Sequence, residues 1–445
     1  MPRFDPPRVG MKAGRMWVRR DMVLLGAAVT YSAFIPLEGL TTLPGGRTLG
    51  VPLGAILALL WLWWRRGQIP KQTALVGCGM LVGYFAVSQL WALTVSFYGV
   101  SATAFGLASA FILADVIGRL RGAGVAIASG FLAGTVALAV YSLRVHGELV
   151  AMGARLPGLE GQSTAHLGAV LALGVISGCF IWVTSTRTSL RLTSAAGALF
   201  LTWPLVLTQT RAAWLAALVS TLILLVYGGR SLRFAGRWRR LSTAAVATGV
   251  ILVGWSLGSD LIQDRAQLAV DTGGAGRTAI WQGGMMIFET APFFGVGYRA
   301  FPEAYTEDIG IRAHGAEGRS GRAPHSIVVS VLVEGGIVGG MLLGLAIWTL
   351  WMRGAGRRWP LTAPLIALGL AGVVQALFID LLTRKYFWWA VAFLAVPKLP
   401  ESHPSQHSRS AHSLVQDVDG PSENAAPRQT STPAGISPDR GAVDR

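Results

Sequence analysis

The sequence predicts an all-α fold, a polytopic membrane helix bundle of about 12 transmembrane helices. Of its 445 residues, 52% are hydrophobic and only 13% are charged, whereas a soluble domain is about a quarter charged. A helix that spans a bilayer needs roughly 20 apolar residues, and about twelve such stretches follow one another here. Short clusters of Lys and Arg separate them, which is typical of a polytopic protein.

The apolar stretches define the predicted spans. Spans one to nine fall within 21–258 and spans ten to twelve within 326–398. In order they are 21–39, 48–64, 72–91, 98–117, 123–142, 166–184, 193–209, 212–228, 242–258, 326–351, 361–379 and 385–398. The last is short, so the alternative is ten or eleven spans, with that segment lying flat or missing.

The basic residues predict that both termini are cytoplasmic. In that orientation 21 of the 38 Lys and Arg residues lie in inside segments, 12 in outer segments and 5 in the tail, as the positive-inside rule requires. Residues 1–20 then form a cytoplasmic N-terminus without a signal-peptide cleavage site. Residues 399–445 are rich in Ser, Pro and charge, which predicts a disordered tail. This patterning accounts for the net charge of +16, so we expect no nucleic-acid partner.

Two outer segments are long, at 143–165 and 259–325. Loops of this length in a compact protein are usually functional. Within the second, Arg277 follows a Gly-rich stretch and precedes apolar residues at near-helical spacing, which predicts a helix on the outer membrane face. Farther on, 292–298 reads as a turn that returns the chain towards the bilayer.

Arginines are the first candidates for chemistry. Arg211 lies at the outer joint of spans seven and eight, where an arginine is costly unless it faces a partner or a wet cavity. A guanidinium can hold phosphate oxygens in a bidentate fork. Arg277 beside a helix N-terminus and Arg155 in the first long loop are further anion-binding candidates. The alternatives are interfacial snorkelling for Arg211 and ordinary surface positions for the other two.

His325 is the candidate proton acceptor. It stands where the second long loop enters span ten, and a neutral imidazole there could deprotonate a sugar hydroxyl. The alternative is a polar interface residue. His314 is a rival base in the same loop, although no apolar residue anchors it.

The remaining polar and aromatic residues are expected to be structural. Asp115, Glu334 and Asp380 lie in or near spans and are interpreted as hydrogen-bonding partners. Trp388 and Trp389 are interpreted as part of an interfacial belt. The sequence has no phosphate-binding loop, no Asp-rich metal pair and only two cysteines, so we expect no cofactor and no metal.

These elements together resemble the O-antigen ligase and polymerase superfamily of membrane glycosyltransferases. The resemblance is best over 155–350 and rests on the order of four elements. They are Thr-Gln-Thr-Arg-Ala-Ala-Trp-Leu at 208–215, Gly-Arg-Thr-Ala-Ile-Trp at 276–281, the turn at 292–297, and Pro324-His325-Ser326 followed by Glu334-Gly335-Gly336.

The resemblance implies a glycosyltransferase of the bacterial inner membrane that works on the periplasmic side without nucleotide or metal. Its donor would be a glycan on undecaprenyl diphosphate, and its acceptor a hydroxyl of the lipid A core. Arg211, Arg277 and, less closely, Arg155 would bind the diphosphate, and His325 would be the base. Two positions depart from the family pattern: Ser326 replaces a frequent Asn, and 162–164 reads Gln-Ser-Thr where Asn-Pro-Asn is frequent. We expect an inverting single displacement.

Three other functions remain open on the sequence. A polymerase of the same family would use another glycan repeat as acceptor, and acceptor choice lies in the variable outer loops. A transporter or flippase of lipid-linked sugars would need charged residues deep inside several spans, whereas the candidates here lie at the outer ends. A peptidoglycan polymerase would need an outer-loop aspartate with suitable surroundings.

Overall fold

The fold is that of a computed structural model. It describes residues 11–41, 48–66, 68–152, 154–158, 163–231, 277–314, 320–355 and 363–397. These residues form helices joined by turns, without a β-strand among them, which confirms the all-α class. The predicted span at 242–258, the first part of the outer loop at 259–276 and the tail at 399–445 lie outside the described residues.

A helix occupies each predicted span other than 242–258. The first eight helices are α1 (Met11–Phe34), α2 (Gly50–Arg65), α3 (Val76–Ser88), α4 (Phe97–Arg119), α5 (Ala123–Ala151), α6 (Thr164–Thr184), α7 (Thr188–Leu207) and α8 (Arg211–Ser231). The second long loop contributes α9 (Arg277–Thr290), α10 (Phe301–Ala304) and α11 (Glu307–His314). The helices α12 (Ile327–Thr349), α13 (Ala363–Ala376) and α14 (Lys385–Leu394) follow.

Several helices have the length and composition of membrane spans. Among the described residues, five helices are long and apolar enough to cross a bilayer: α4 to α7 and the stretch Ile327–Met352. Shorter apolar helices of 10–17 residues accompany them at Gly50–Arg65, Thr73–Ser88, Arg211–Leu224 and Ala363–Ala376. The chain is therefore a membrane protein, while the number of twelve spans stays a prediction.

Helix α6 forms the centre of the bundle. It is apolar on all sides, and 89% of its most apolar window is buried, as expected for a helix enclosed by other helices. It packs against α5, α7, α8 and α13. Small residues allow the close approach, because a Cβ added at Gly178 would lie 2.7 Å from the carbonyl oxygen of Ser194 in α7. Helix α6 is thereby held among the helices that surround it.

The last helix corrects one prediction. All ten residues of α14 are buried, so the interfacial assignment of Trp388 and Trp389 is wrong. The ring of Trp389 stacks on Phe131 with the centroids 4.0 Å apart, and its Nε1–H donates to Ser32 Oγ at 3.2 Å. Ten residues rise only about 15 Å, half the thickness of the hydrocarbon core. The segment is a buried core helix, and its tryptophans fill the bundle.

Helix α12 is broken at Gly336, which has φ +62° and ψ −160° within an otherwise apolar helix. The turn at 291–297, hereafter the return loop, docks against this break. A carbonyl group of the return loop accepts a hydrogen bond from the helix, since Ile337 N–H donates to Pro292 O at 2.8 Å. In the other direction, Gly297 N–H of the return loop donates to Glu334 O at 3.0 Å. Backbone groups in an apolar bundle must be paired. The return loop therefore satisfies the groups that the break exposes.

Replacing Gly336 with alanine is expected to destabilise the protein. The positive φ strains any L residue by about 1–3 kcal/mol, and the new Cβ would also overlap the backbone of Phe293. The midpoint of thermal unfolding in detergent should fall for this variant. Gly344→Ala is the matched control, because Gly344 lies in the same helix with open space around its Cβ position. Equal midpoints for Gly336→Ala and the wild type would contradict the interpretation of the break.

Candidate functional site

The joint between α7 and α8 places Arg211 at the start of α8 with its side chain exposed. Gln209 takes a positive φ of +51° in the turn before it. The indole Nε1–H of Trp214 donates to Leu205 O at 3.1 Å, which ties the first turn of α8 back to α7. The turn is thus fixed on both sides, and the guanidinium projects from a rigid element.

Two other segments converge on this joint. Leu156 N–H donates to Leu207 O at 2.9 Å, so the half-buried Arg155 lies beside the end of α7. Thr210 Oγ1 donates to Thr164 O at 3.3 Å, which brings in the first turn of α6. The first long loop and the starts of α6 and α8 therefore share one end of the bundle.

Arg277 is the first residue of α9 and is half-buried. Burial lowers the pKa of its guanidinium, and the positive charge of Arg211 lowers it further. The indole Nε1–H of Trp281, one turn on, donates to Pro324 O at 3.1 Å. Helix α9 therefore lies between the α8 joint and the segment that carries His325.

The apolar face of α9 was expected to lie on the membrane, but protein covers part of it. Ile280 and Ile287 are buried against Phe301, Tyr305 and Val333. Met285 points outwards and is half exposed. Packing against α11 and α12 holds the helix in place.

His325 precedes α12 in a left-handed conformation, with φ +50°. The residue reaches solvent. Partial burial of the ring lowers its pKa, the positive charges of Arg277 and Arg322 lower it further, and Asp380 opposes them. The imidazole is consequently neutral at pH 7, the form that can accept a proton.

The structure thus brings three predicted site residues together. Arg211 acts electrostatically on Arg277, and Arg277 acts on His325. They come from α8, α9 and the segment before α12, so the grouping depends on packing between distant parts of the chain. Their chemical roles stay predictions.

Two further groups lie beside this cluster and were not among the predicted site residues. His166 Nδ1 is 2.7 Å from Tyr386 Oη, and its Nε2 is 3.2 Å from Nη2 of Arg384. His166 and His325 lie within electrostatic range of each other. Arg384 forms a basic pair with Lys385 between the last two apolar segments, a local charge signal by which it could have been found.

The three acids bond to protein groups, as expected. Asp115 lies at the other end of α4, where Arg119 Nε and Trp61 Nε1 each donate to it at 2.9 Å. Glu334 Oε1 accepts from Phe301 N–H at 3.3 Å. Asp380 Oδ2 accepts from Nη1 of Arg299 at 3.0 Å. Each carboxylate therefore has a structural partner.

Arg299 is a cation near the site that the sequence did not single out. It lies between the return loop and α10 and pairs with Asp380, which joins the second long loop to the connection between α13 and α14. That negative charge opposes burial and raises the pKa of the Arg299 guanidinium. Asp380 also lies within electrostatic range of His325.

Two other predictions concern metals and the rival base. In the part of the chain that the structure describes, no three His, Cys, Asp or Glu side chains are grouped so that they could hold a metal ion. The side chain of His314, at the end of α11, lies outside the described part.

The comparisons with known proteins address the family. None of the curated proteins matches the chain. Residues 196–344 match the family model described as O-Antigen ligase. The matched region runs from α7 into α12 and contains Arg211, Arg277 and His325. This match confirms the resemblance read from the sequence: residues 196–344 are similar to the O-antigen ligase family.

Proposed function

We propose that the protein is an O-antigen ligase that transfers a glycan from undecaprenyl diphosphate to a hydroxyl of the lipid A core. The transfer takes place on the periplasmic face of the inner membrane, needs no metal, and inverts the anomeric carbon. The observation that carries the proposal is the grouping of Arg211, Arg277 and His325 at one end of the bundle.

Arg211 and Arg277 bind the diphosphate of the donor. The bond between the anomeric carbon and the diphosphate oxygen breaks, and negative charge develops on the leaving diphosphate. Two fixed guanidinium groups stabilise that charge where it forms. The lowered pKa of Arg277 supports this role, because a site with two neighbouring positive charges favours an anion between them.

His325 accepts the proton of the acceptor hydroxyl as its oxygen attacks the anomeric carbon. The neutral imidazole required for this step is favoured by partial burial and by the positive charges of Arg277 and Arg322. Because the base lies beside the diphosphate arginines, donor and acceptor are held together, which supplies proximity. The products are the glycosylated acceptor and the free carrier diphosphate.

Removing either group should abolish most of the transfer activity. His325→Ala loses the base and is expected to slow turnover by about 10² to 10⁴-fold. Arg211→Ala loses charge stabilisation and is expected to slow it by about 10² to 10³-fold. The measurement is transfer by the purified protein from carrier-linked glycan, with core lipid and carrier-linked glycan offered as acceptors side by side.

The matched control is Arg312→Ala. Arg312 lies in the same loop but is exposed and pairs with Asp308 at 2.9 Å; its loss should leave turnover unchanged. Wild-type turnover in His325→Ala or Arg211→Ala would remove that residue from the mechanism. Transfer to carrier-linked glycan alone would identify a polymerase.

The acidic limb of the pH profile should report His325. Its pKa lies below the usual 6.5, so the base stays neutral at mildly acidic pH and activity falls only when the pH drops through the lowered value. Arg322→Gln removes one of the positive charges that lower this pKa. The acidic limb of kcat/KM should therefore move to higher pH, whereas Arg312→Gln should leave it in place. An unmoved limb in Arg322→Gln would contradict the assignment.

A further inference from the structure

Three cations with different surroundings lie in or beside the connection between α13 and α14. Arg299 reaches it from the segment between the return loop and α10 and pairs with Asp380 at 3.0 Å. Lys385 pairs with Glu38. Arg384 has no carboxylate partner among the described residues, and its Nε–H is buried without a hydrogen-bond acceptor there. Arg384 is therefore the cation of the three whose charge the described protein leaves uncompensated.

His166 holds the Arg384 guanidinium without neutralising it. An arginine only donates hydrogen bonds, so the His166 Nε2 at 3.2 Å from Nη2 must be the acceptor. The proton of the neutral ring then sits on Nδ1 and is donated to Tyr386 Oη at 2.7 Å. Both ring nitrogens are thus occupied, which excludes His166 as a free base and fixes its orientation.

A chain of interactions links Arg384 to His325 and the two diphosphate arginines. Arg277 lies within electrostatic range of both Arg211 and His325. His166 lies within range of both His325 and Arg384. His325 therefore interacts electrostatically with Arg277 on the one hand and with His166, which is hydrogen-bonded to Arg384, on the other. In the proposed inverting displacement the hydroxyl attacks the anomeric carbon from the face opposite the leaving diphosphate, so a cation near His325 that does not bind the diphosphate is available to the acceptor.

We propose that Arg384 binds an anionic group of the acceptor, a phosphate or a carboxylate close to the hydroxyl that is glycosylated. His166 is the positioning residue that aims the guanidinium. This inference rests on the proposed function, since it assigns the acceptor side of the same site. A half-buried arginine without a carboxylate is costly, and a bidentate oxyanion supplies both the charge and the acceptors that it lacks.

The test measures apparent KM for donor and acceptor separately. Arg384→Gln is expected to raise the acceptor KM about tenfold or more, the effect of losing a charge-assisted hydrogen bond, while the donor KM stays within twofold. Arg384→Lys keeps the positive charge but not the bidentate guanidinium, so its acceptor KM should lie between those of the wild type and Arg384→Gln. Arg312→Gln is the control and should change neither KM. A raised donor KM, or two unchanged KM values, would overturn the proposal.

The role of His166 has its own readout. His166→Ala should raise the acceptor KM as Arg384→Gln does, and the double variant should be no worse than either single variant. His166→Gln places an amide oxygen near the position of Nε2 and should restore much of the affinity. Additive effects in the double variant would show that His166 does not act through Arg384.

Chemical changes to the acceptor identify the anion. Phosphatase treatment of the core lipid removes its phosphates, and amidation neutralises its carboxyl groups. The treatment that removes the anion bound by Arg384 should make the lipid a poorer acceptor for the wild type. The same treatment should not change the activity of Arg384→Gln. If neither treatment affects the wild type, the acceptor anion is excluded.

The anion site can be tested even if the protein does not catalyse the proposed transfer. Should the wild type transfer nothing, binding of intact and treated core lipid to the full chain in detergent still tests the anion site. A preference for intact lipid that Arg384→Gln abolishes would support the inference although the transfer reaction is wrong. Equal binding by both proteins would overturn it.

Discussion

The need to pair backbone polar groups inside an apolar bundle governs the arrangement of this protein. Helix α12 breaks at Gly336, and the return loop supplies the donors and acceptors that the break leaves open. Water cannot do this within a bilayer. The return loop fixes the chain between α9 and α10, and Trp281 joins α9 to the segment before α12. The positions of Arg277 and His325 therefore follow from a hydrogen-bonding constraint at the break.

Charge is distributed differently at the two ends of the helices. At one end Asp115 accepts from Arg119 and pairs with Arg65 as well, so a buried carboxylate lies between two cations. At the other end Asp380 forms an ion pair with Arg299. Arg211, Arg277 and Arg384 then have no carboxylate partner among the described residues. An excess of guanidinium groups beside a neutral imidazole suits an anionic substrate, because the ligand supplies the missing negative charge.

Prediction from sequence succeeded for helix positions and failed for the surroundings of some helices. Long apolar runs specify helices in a membrane because a helix satisfies its backbone hydrogen bonds within a single segment. Hydropathy does not distinguish lipid from protein as the apolar neighbour. For this reason Trp388 and Trp389 were assigned to an interface although both are buried, and the apolar face of α9 was assigned to the membrane although Ile280 and Ile287 pack against protein.

By itself, the sequence determined the helical class, the family resemblance and the candidates Arg211, Arg277 and His325, because rare charges at the ends of apolar runs are conspicuous locally. Tertiary structure alone decided which of these charges share a cluster. It also decided that Asp380 pairs with Arg299, 81 positions away, and that His166 accepts a hydrogen bond from Arg384, 218 positions away. Such pairings arise from helix packing, which no local pattern encodes.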